Sequence, residues 1–234
     1  MSKIVCNTPI IVALDYSCAD QAMACVSQLT PQLCRLKVGK ELFVAAGPLF
    51  VKQLIKLGFD VFLDLKFHDI PTTVAKAVRV AADLGVWMVN VHASGGGEML
   101  AAAYDALAKK EKKPYLIGVT VLTSMKESDL IKLGHSHGIE AQVSSLAQMC
   151  EKAHLDGVVC SALEAKLLRK SCRDDFLLVT PGIRLATDKK DDQHRITTPQ
   201  QALVLGSDYL VIGRSITQAK NPVQVLERIA ISCQ

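Results

Sequence analysis

The chain has 234 residues, half of them hydrophobic, and a formal net charge of +4 from 27 basic and 23 acidic side chains. This length suits one large domain, and the mild charge, the single Trp and the four Tyr argue against a nucleic-acid-binding surface. Because no apolar run reaches the ~18 residues of a transmembrane helix and the N-terminus lacks the apolar core of a signal peptide, we expect a cytoplasmic protein that binds no membrane.

Eight short apolar runs, rich in β-branched residues, recur along the chain with helical stretches between them. The predicted strands are Ile10–Tyr16, Leu33–Gly39, Asp60–Lys66, Trp87–Ala93, Tyr115–Leu122, Gly157–Ala162, Phe176–Ile183 and Tyr209–Arg214. The predicted helices are Ala19–Leu29, Pro48–Leu57, Thr72–Leu84, Glu98–Lys109, Glu140–His154, Leu163–Arg169, Pro199–Leu205 and Pro222–Ile231. Strands that alternate with helices indicate right-handed βαβ units and a parallel sheet.

Eight such units favour an α/β fold of the closed (β/α)8 type, a TIM barrel, as a single domain over residues 1–234. A doubly wound sheet should carry a glycine-rich turn after its first strand, whereas the turn 15–19 contains no glycine. Two polar interruptions, Thr123–Ile139 and Leu185–Arg195, follow the fifth and seventh strands. Loops in these places lie on the catalytic face of a barrel, so both are candidate lids.

The third strand ends in charges where a core strand should have none. Asp64 and Lys66 are two residues apart and should share a face, and Asp69 follows just before Pro71. Charges are rarely buried unless they are paired. This set of two carboxylates and one ammonium therefore either pairs with itself or binds a ligand.

Most other strands also end in polar or charged residues, as in a barrel enzyme that builds its site at one rim. Further candidate residues of this kind are Asp15, Lys37, Thr123, Ser124, Arg184 and Arg214. Gly182 and Arg184 after the seventh strand, with Gly213 and Arg214 after the eighth, match the usual phosphate site of a barrel. Glycine exposes backbone N–H groups, and arginine offers a bidentate donor for phosphate.

The sequence predicts neither a metal site nor a cofactor. His135 and His137 lie in a polar loop without acidic neighbours that could complete a metal site. The glycine run after the fourth strand lacks the Lys-Ser/Thr of a P-loop. None of the eight cysteines forms a C-x-x-C pair, and most lie in apolar segments, so we interpret them as buried thiols.

These residues together resemble the orotidine 5′-monophosphate decarboxylase family, in the short bacterial form. The resemblance spans nearly the whole chain and is strongest in D-L-K-F-H-D-I-P at residues 64–71. It extends to Leu36–Gly39, V-H-A-S-G-G at Val91–Gly96, V-T-P-G-I-R at Val179–Arg184 and I-G-R at Ile212–Arg214. The family implies a cofactor-free decarboxylation of orotidine 5′-monophosphate to uridine 5′-monophosphate in pyrimidine biosynthesis, by a homodimer with shared active sites.

The resemblance also implies a role for each site residue. Lys66 would donate the proton to the carbon that loses carbon dioxide, Asp64 would lie against the departing carboxylate, and Lys37 with Asp69 would complete a charge network. Asp69, with Ile70 and Thr73 nearby, would cross a dimer interface into the partner's site. The residues implied in substrate binding are Asp15 and Lys37 for the ribose, Thr123 or Ser124 for the pyrimidine, and Gln193, Gly213, Arg214, Pro181 and Arg184 around the phosphate.

Two other functions remain open at this point. A related barrel decarboxylase or synthase acting on a sugar phosphate would need an acidic metal ligand in addition to the D-x-K-x-x-D pattern. A non-catalytic nucleotide sensor would have no need of a proton donor, so the presence of Lys66 between two carboxylates argues against it.

Overall fold

The computed structural model describes residues 5–185 and 197–233. Its strands are β1 (Ile10–Leu14), β2 (Arg35–Gly39), β3 (Val61–Phe67), β4 (Met88–His92), β5 (Tyr115–Val119), β6 (Gly157–Val159), β7 (Leu177–Thr180) and β8 (Tyr209–Ile212). Each strand pairs in parallel with the next, and β8 pairs with β1, so the sheet closes into a barrel. The predicted (β/α)8 barrel is confirmed.

The helices follow the strands around the outside of the barrel. They are α1 (Ala19–Val26), α2 (Lys40–Lys56), α3 (Pro71–Asp83), α4 (Gly97–Ala108), α5 (Glu127–Lys132), α6 (Ile139–Lys152), α7 (Ala162–Ser171), α8 (Pro199–Val204), α9 (Arg214–Thr217) and α10 (Pro222–Ser232). A short 3-10 turn, Ala93–Gly95, precedes α4. Among the described residues, no helix combines the length and the apolar character needed to cross a membrane.

The main differences from the sequence prediction are one helix start, one unpredicted helix and one strand end. The segment α2 begins eight residues before the predicted start at Pro48, and Gly47, at φ +68°, separates a first helix from the predicted one. The candidate lid Thr123–Ile139 contains the helix α5. Strand β6 ends three residues early because Ser161 caps α7, with Glu164 accepting a hydrogen bond from the Ser161 N–H.

The apolar core has two layers, inside the barrel and between the barrel and its helices. Inside, a compact cluster fills the middle of the barrel and consists of Ile11, Ala13, Phe62, Met88, Ile117, Val179 and Val211. Outside, the longer helices bury one apolar stripe, as α3 does with Val74, Val78 and Ala81. All eight cysteines are free; five are buried as expected, whereas Cys18, Cys172 and Cys233 are partly exposed.

The amino-terminal end of the barrel is closed by a stacked cation. The guanidinium of Arg35 lies 4.6 Å from the ring centroid of Trp87 and 5.0 Å from that of Tyr209. Arg35 also donates a hydrogen bond of 2.7 Å to the carbonyl of Thr8. Since this end and the middle are filled, space for a ligand is left at the carboxyl ends of the strands.

Candidate active site

A cavity of about 480 Å³ opens at the carboxyl ends of the strands. Most of the predicted site residues line it. They are Asp15, Lys37, Asp64, Lys66, Thr123, Ser124, Pro181, Arg184, Gly213 and Arg214. A parallel barrel brings all the strand ends to one rim. The residues that line the cavity therefore come from the ends of β1, β2, β3, β5, β7 and β8 or from the loops that follow them.

The charged residues at the base of the cavity form a continuous chain of alternating sign. The Lys37 ammonium lies 3.1 Å from Asp15 Oδ1 and 3.4 Å from Asp64 Oδ2. The Lys66 ammonium lies 2.6 Å from Asp64 Oδ1. Within one chain the buried Asp64 carboxylate thus lies between two ammonium groups. This differs from the ammonium between two carboxylates that the sequence suggests.

Burial and ion pairing act in opposite directions on these groups. Burial by itself would lower the pKa of Lys37, but the negative charges of Asp64 and Asp15 outweigh it and raise the pKa. Burial would likewise raise the pKa of Asp64, but Lys37 and Lys66 outweigh it and lower the pKa. Both residues are therefore ionised at neutral pH, and the cluster presents fixed charges to a ligand.

Gly39, which has no side chain, leaves room for this chain of charges. A Cβ atom at that position would lie 3.2 Å from Lys37 Nζ and 3.8 Å from Asp15 Oδ1. Such a contact with Nζ is closer than ordinary van der Waals packing. Glycine at the end of β2 therefore lets the Lys37 ammonium reach both of its carboxylates.

The backbone at Lys66 is unusual for a residue with a side chain. Its φ is +53°, in the left-handed region, and the pairing of β3 with β4 shifts register between Leu63 and Phe67. The Lys66 N–H donates a 2.8 Å hydrogen bond to the side-chain oxygen of Asn90 on β4. Lys66 contacts Asp64, as their spacing predicts, but a bulge and not a regular strand brings the two side chains together.

Sequence reasoning missed several residues of the site. Asn90 is fully buried beneath the charge chain, and Thr217 and Gln218 of the last turn before α10 line the cavity. An apolar wall completes it, formed by Ala13, Phe62, Val119, Val121, Leu122, Val159, Cys160 and Val211. The two-residue period of a strand could have indicated Asn90 and Ala13. Residues two apart share a face, so Asn90 follows Met88, and Ala13 follows Ile11, on the inner face of the barrel.

The segment after β7 forms the part of the cavity where the sequence predicts a phosphate site. Gly182 has a φ of +81°, which favours glycine. The carbonyl of Gly182 accepts a hydrogen bond from the Thr197 N–H, and the Arg184 N–H donates one to the Thr197 carbonyl. Gln193, and all of the candidate lid Leu185–Arg195 beyond its first residue, lie outside the described residues.

Three predicted site residues lie away from the cavity of their own chain. Asp69, Ile70 and Thr73 are exposed at the start of α3, and Ile70 retains 64% of its accessible surface. The Asp69 carboxylate accepts a hydrogen bond from the Ile70 N–H at 2.7 Å.

Two histidines lie beside the cluster without lining the described part of the cavity. The ring centroids of His68 and His92 are 5.3 Å apart. Burial, together with the neighbouring His68, Lys40 and Lys66, lowers the pKa of His92 to about 4. The His92 imidazole is therefore neutral at physiological pH, and we assign it no proton transfer.

Comparison with known proteins places this chain in a family. A model of the orotidine 5′-phosphate decarboxylase / HUMPS family matches residues 8–229. The orotidine 5′-phosphate decarboxylase of Pseudoalteromonas translucida is 61% identical over 218 residues, covering 93% of each chain. That of Escherichia coli is 54% identical over 234 residues, covering 100% of this chain and 96% of the relative.

Solved structures agree with the sequence comparison. The crystal structure of orotidine 5′-phosphate decarboxylase from Lactobacillus acidophilus is 39% identical and superposes with a TM-score of 0.86. The match covers 97% of this chain and 100% of that one. The family match, the identities and the shared barrel together show that this chain belongs to the orotidine 5′-phosphate decarboxylase / HUMPS family.

Proposed function

We propose that this protein converts orotidine 5′-monophosphate to uridine 5′-monophosphate and carbon dioxide, in the cytoplasm and without a cofactor, as a step of de novo pyrimidine biosynthesis. The observation that carries the proposal is the chain of alternating charges Asp15, Lys37, Asp64 and Lys66 in the cavity, in which Lys37 and Asp64 are buried. The names of the relatives at 54–61% identity support the substrate.

The chemical problem is a carbanion with no neighbouring group to delocalise it. When the bond to the carboxyl carbon breaks, its electron pair stays on the pyrimidine ring carbon. An ammonium about 4 Å away stabilises such a charge by roughly 4 kcal/mol at an effective dielectric constant near 20. Lys66 supplies that ammonium, since its position is fixed by the 2.6 Å contact with Asp64.

Lys66 then completes the reaction as a general acid. One of its protons moves to the ring carbon, which gives uridine 5′-monophosphate, and the neutral amine takes a proton back from solvent. Asp64 faces the substrate carboxylate before the reaction, and the repulsion between them falls as carbon dioxide leaves. A fixed pair of opposite charges therefore acts on both the departing group and the carbanion.

The other cavity residues bind the non-reacting parts of the substrate. Asp15 and Lys37 would hold the ribose hydroxyls, and Thr123 or Ser124 would contact the pyrimidine. Gln193, Gly213 and Arg214 would bind the phosphate, with Pro181 and Arg184 beside them. Binding energy from the phosphate can then stabilise the transition state through closure over the ring.

The activity and its independence of metal can be tested together. We expect the ultraviolet absorbance of orotidine 5′-monophosphate to fall with time at the same rate before and after exhaustive chelation. The described residues contain no group of three or more His, Cys, Asp or Glu that could hold a metal ion, and metal independence stays a prediction.

The outcomes of this assay separate the candidate functions. Loss of activity on chelation, restored by magnesium, would favour a metal-dependent sugar-phosphate reaction of the kind that the wider family suggests. Binding of the nucleotide without any turnover would favour a sensor. The first result would overturn the proposed metal independence, and the second would overturn the proposed reaction.

The proposal includes a homodimer in which each active site borrows Asp69 from the partner subunit. Exposure of Asp69, Ile70 and Thr73 at the rim, away from the cavity of their own chain, supports it. Ile70 and its neighbours would be covered by the second subunit, and the Asp69 carboxylate would reach the Lys66 ammonium of that subunit.

Mixing two inactive variants tests this sharing of sites. Asp69→Ala chains mixed with Lys66→Ala chains should recover activity at about a quarter of the sites, because half of the dimers are mixed and each has one complete site. A matched control mixes Lys66→Ala with Asp64→Ala. Both of these residues belong to the same cavity, so neither site of a mixed dimer is complete. No recovery in the first mixture, despite subunit exchange proven by mass spectrometry, would mean that each site is built from one chain.

A further inference from the structure

A fully buried amide lies directly beneath the charge chain and touches two of its members. Asn90 follows Met88 on the inner face of β4 and has no accessible surface. Its side-chain amide donates a hydrogen bond of 2.7 Å to Asp64 Oδ1. Its side-chain oxygen accepts a hydrogen bond of 2.8 Å from the Lys66 N–H.

The chemistry of the partners fixes the orientation of this amide. The Lys66 N–H can only donate a hydrogen bond, and the ionised Asp64 carboxylate can only accept one. The oxygen of Asn90 must therefore face Lys66, and its nitrogen must face Asp64. A buried amide that satisfies both partners in this way has one orientation, and it holds the two residues at a fixed separation.

The hydrogen bond to Lys66 also explains how an unfavourable backbone conformation persists. Lys66 has a φ of +53°, which residues with a side chain rarely adopt. At the register shift between Leu63 and Phe67, the regular pairing of β3 with β4 is interrupted. The Asn90 side chain accepts the Lys66 N–H there in place of a backbone carbonyl, and this leaves the Lys66 side chain turned toward Asp64.

We propose that Asn90 is a positioning residue for the decarboxylation: it holds the Lys66 main chain in its left-handed conformation and so fixes the Lys66 ammonium against the Asp64 carboxylate. The inference rests on the proposed function. Asn90 is not among the described residues that line the cavity, so it acts through Lys66 and Asp64 and not on the substrate. Its loss should affect the chemical step more than binding.

The first test replaces Asn90 by Leu, which matches its shape and removes both hydrogen bonds. We expect kcat for orotidine 5′-monophosphate to fall by tens of fold, because a small displacement of a catalytic group is costly. The dissociation constant of uridine 5′-monophosphate should stay within about threefold, because the ribose and phosphate contacts lie elsewhere. A matched control is Thr180→Val, which removes a hydrogen bond from an equally buried side chain of β7 and should leave kcat near the parental value.

The pH dependence of kcat/KM separates positioning from simple support of the fold. Asp64 faces Lys37, Lys66 and Asn90, which all help to keep it ionised. Without the Asn90 donor, the Asp64 pKa rises, and the acid limb of the profile should move to higher pH. A structural role alone would lower the melting temperature as in Thr180→Val and would leave the profile unmoved.

A second variant covers the case in which Asn90→Leu does not fold. In Asn90→Asp the oxygen facing Lys66 remains, but a second carboxylate faces Asp64. When the new carboxyl group is protonated it can donate to Asp64 as the amide does, so activity relative to the parent should rise as pH falls from about 8 to about 5. A ratio that is independent of pH would overturn the proposal.

Measuring the parent protein in the same assay distinguishes failure of the positioning role of Asn90 from failure of the proposed reaction. If the parent is active and Asn90→Leu retains kcat within threefold with an unshifted pH profile, only the positioning role is wrong. If the parent is inactive, the proposed reaction fails, and a crystal structure of Asn90→Leu then decides the inference. Lys66 should leave the left-handed region in that structure, and an unchanged Lys66–Asp64 contact would overturn it.

Discussion

Replacing Lys66 by Ala is expected to lower kcat/KM for orotidine 5′-monophosphate by at least about 10³-fold, because the variant loses both the ammonium beside the carbanion and the proton donor. The Lys66 ammonium touches Asp64 at 2.6 Å and lines the cavity. Binding of uridine 5′-monophosphate should remain measurable by calorimetry, since the phosphate and ribose contacts belong to other residues. The two measurements together separate chemistry from binding.

The fold should tolerate this change. Without Lys66, the buried Asp64 carboxylate keeps the Lys37 ammonium at 3.4 Å and the Asn90 amide at 2.7 Å, so it is not left unpaired. Lys56→Ala, at an exposed position near the end of α2, is the matched control and should retain parental activity. Turnover by Lys66→Ala within tenfold of the parent would show that another group supplies the proton.

The barrel and most of its rim could be predicted because both depend on simple periodicity. Alternating strands and helices dictate a parallel sheet, and a parallel barrel collects its strand ends at one rim. Charged or polar residues at those ends, such as Asp15, Lys37 and Arg214, therefore had to lie near one another. Their position in the cavity follows from topology and needs no knowledge of the side-chain contacts.

The details of the charge chain could not be read from spacing. Alternation along β3 suggested that Asp64 and Lys66 share a face of a regular strand, but a register shift and a φ of +53° at Lys66 bring them together. Asn90 makes that geometry possible, and it lies 24 residues further along the chain. A local sequence pattern does not show which distant side chain accepts a hydrogen bond from a backbone N–H that lies outside the regular strand pairing.

Two other differences have local causes. The first part of α2 was not predicted because Gly47-Pro48 is a strong signal for the start of a helix. A helix does start there, but another one precedes it. The start of α7 was placed late, although Ser161 and Glu164 have the spacing of a capping box. The exposed position of Asp69 in one chain is a different case, because the proposed partner for its carboxylate belongs to a second chain.

The second large effect is expected at Arg214, which we propose binds the phosphate and not the reacting ring. Arg214 follows β8 and lines the cavity next to Gly213, at the usual phosphate position of a barrel. Two charge-assisted hydrogen bonds to phosphate are worth about 4 kcal/mol, which corresponds to roughly 10³-fold in kcat/KM. Arg214→Ala should therefore lose about this factor on orotidine 5′-monophosphate.

The same variant should lose little on orotidine, the nucleoside that lacks the phosphate, because the substrate then offers no phosphate to the guanidinium. Measuring kcat/KM for both substrates in the parent and in Arg214→Ala gives the interaction between the arginine and the phosphate directly. Arg228→Ala, at an exposed position of α10, controls for the loss of a positive charge and should be neutral on both substrates. If Arg214→Ala loses as much on orotidine as on the nucleotide, Arg214 supports the fold or the ring site, and the phosphate must be bound elsewhere.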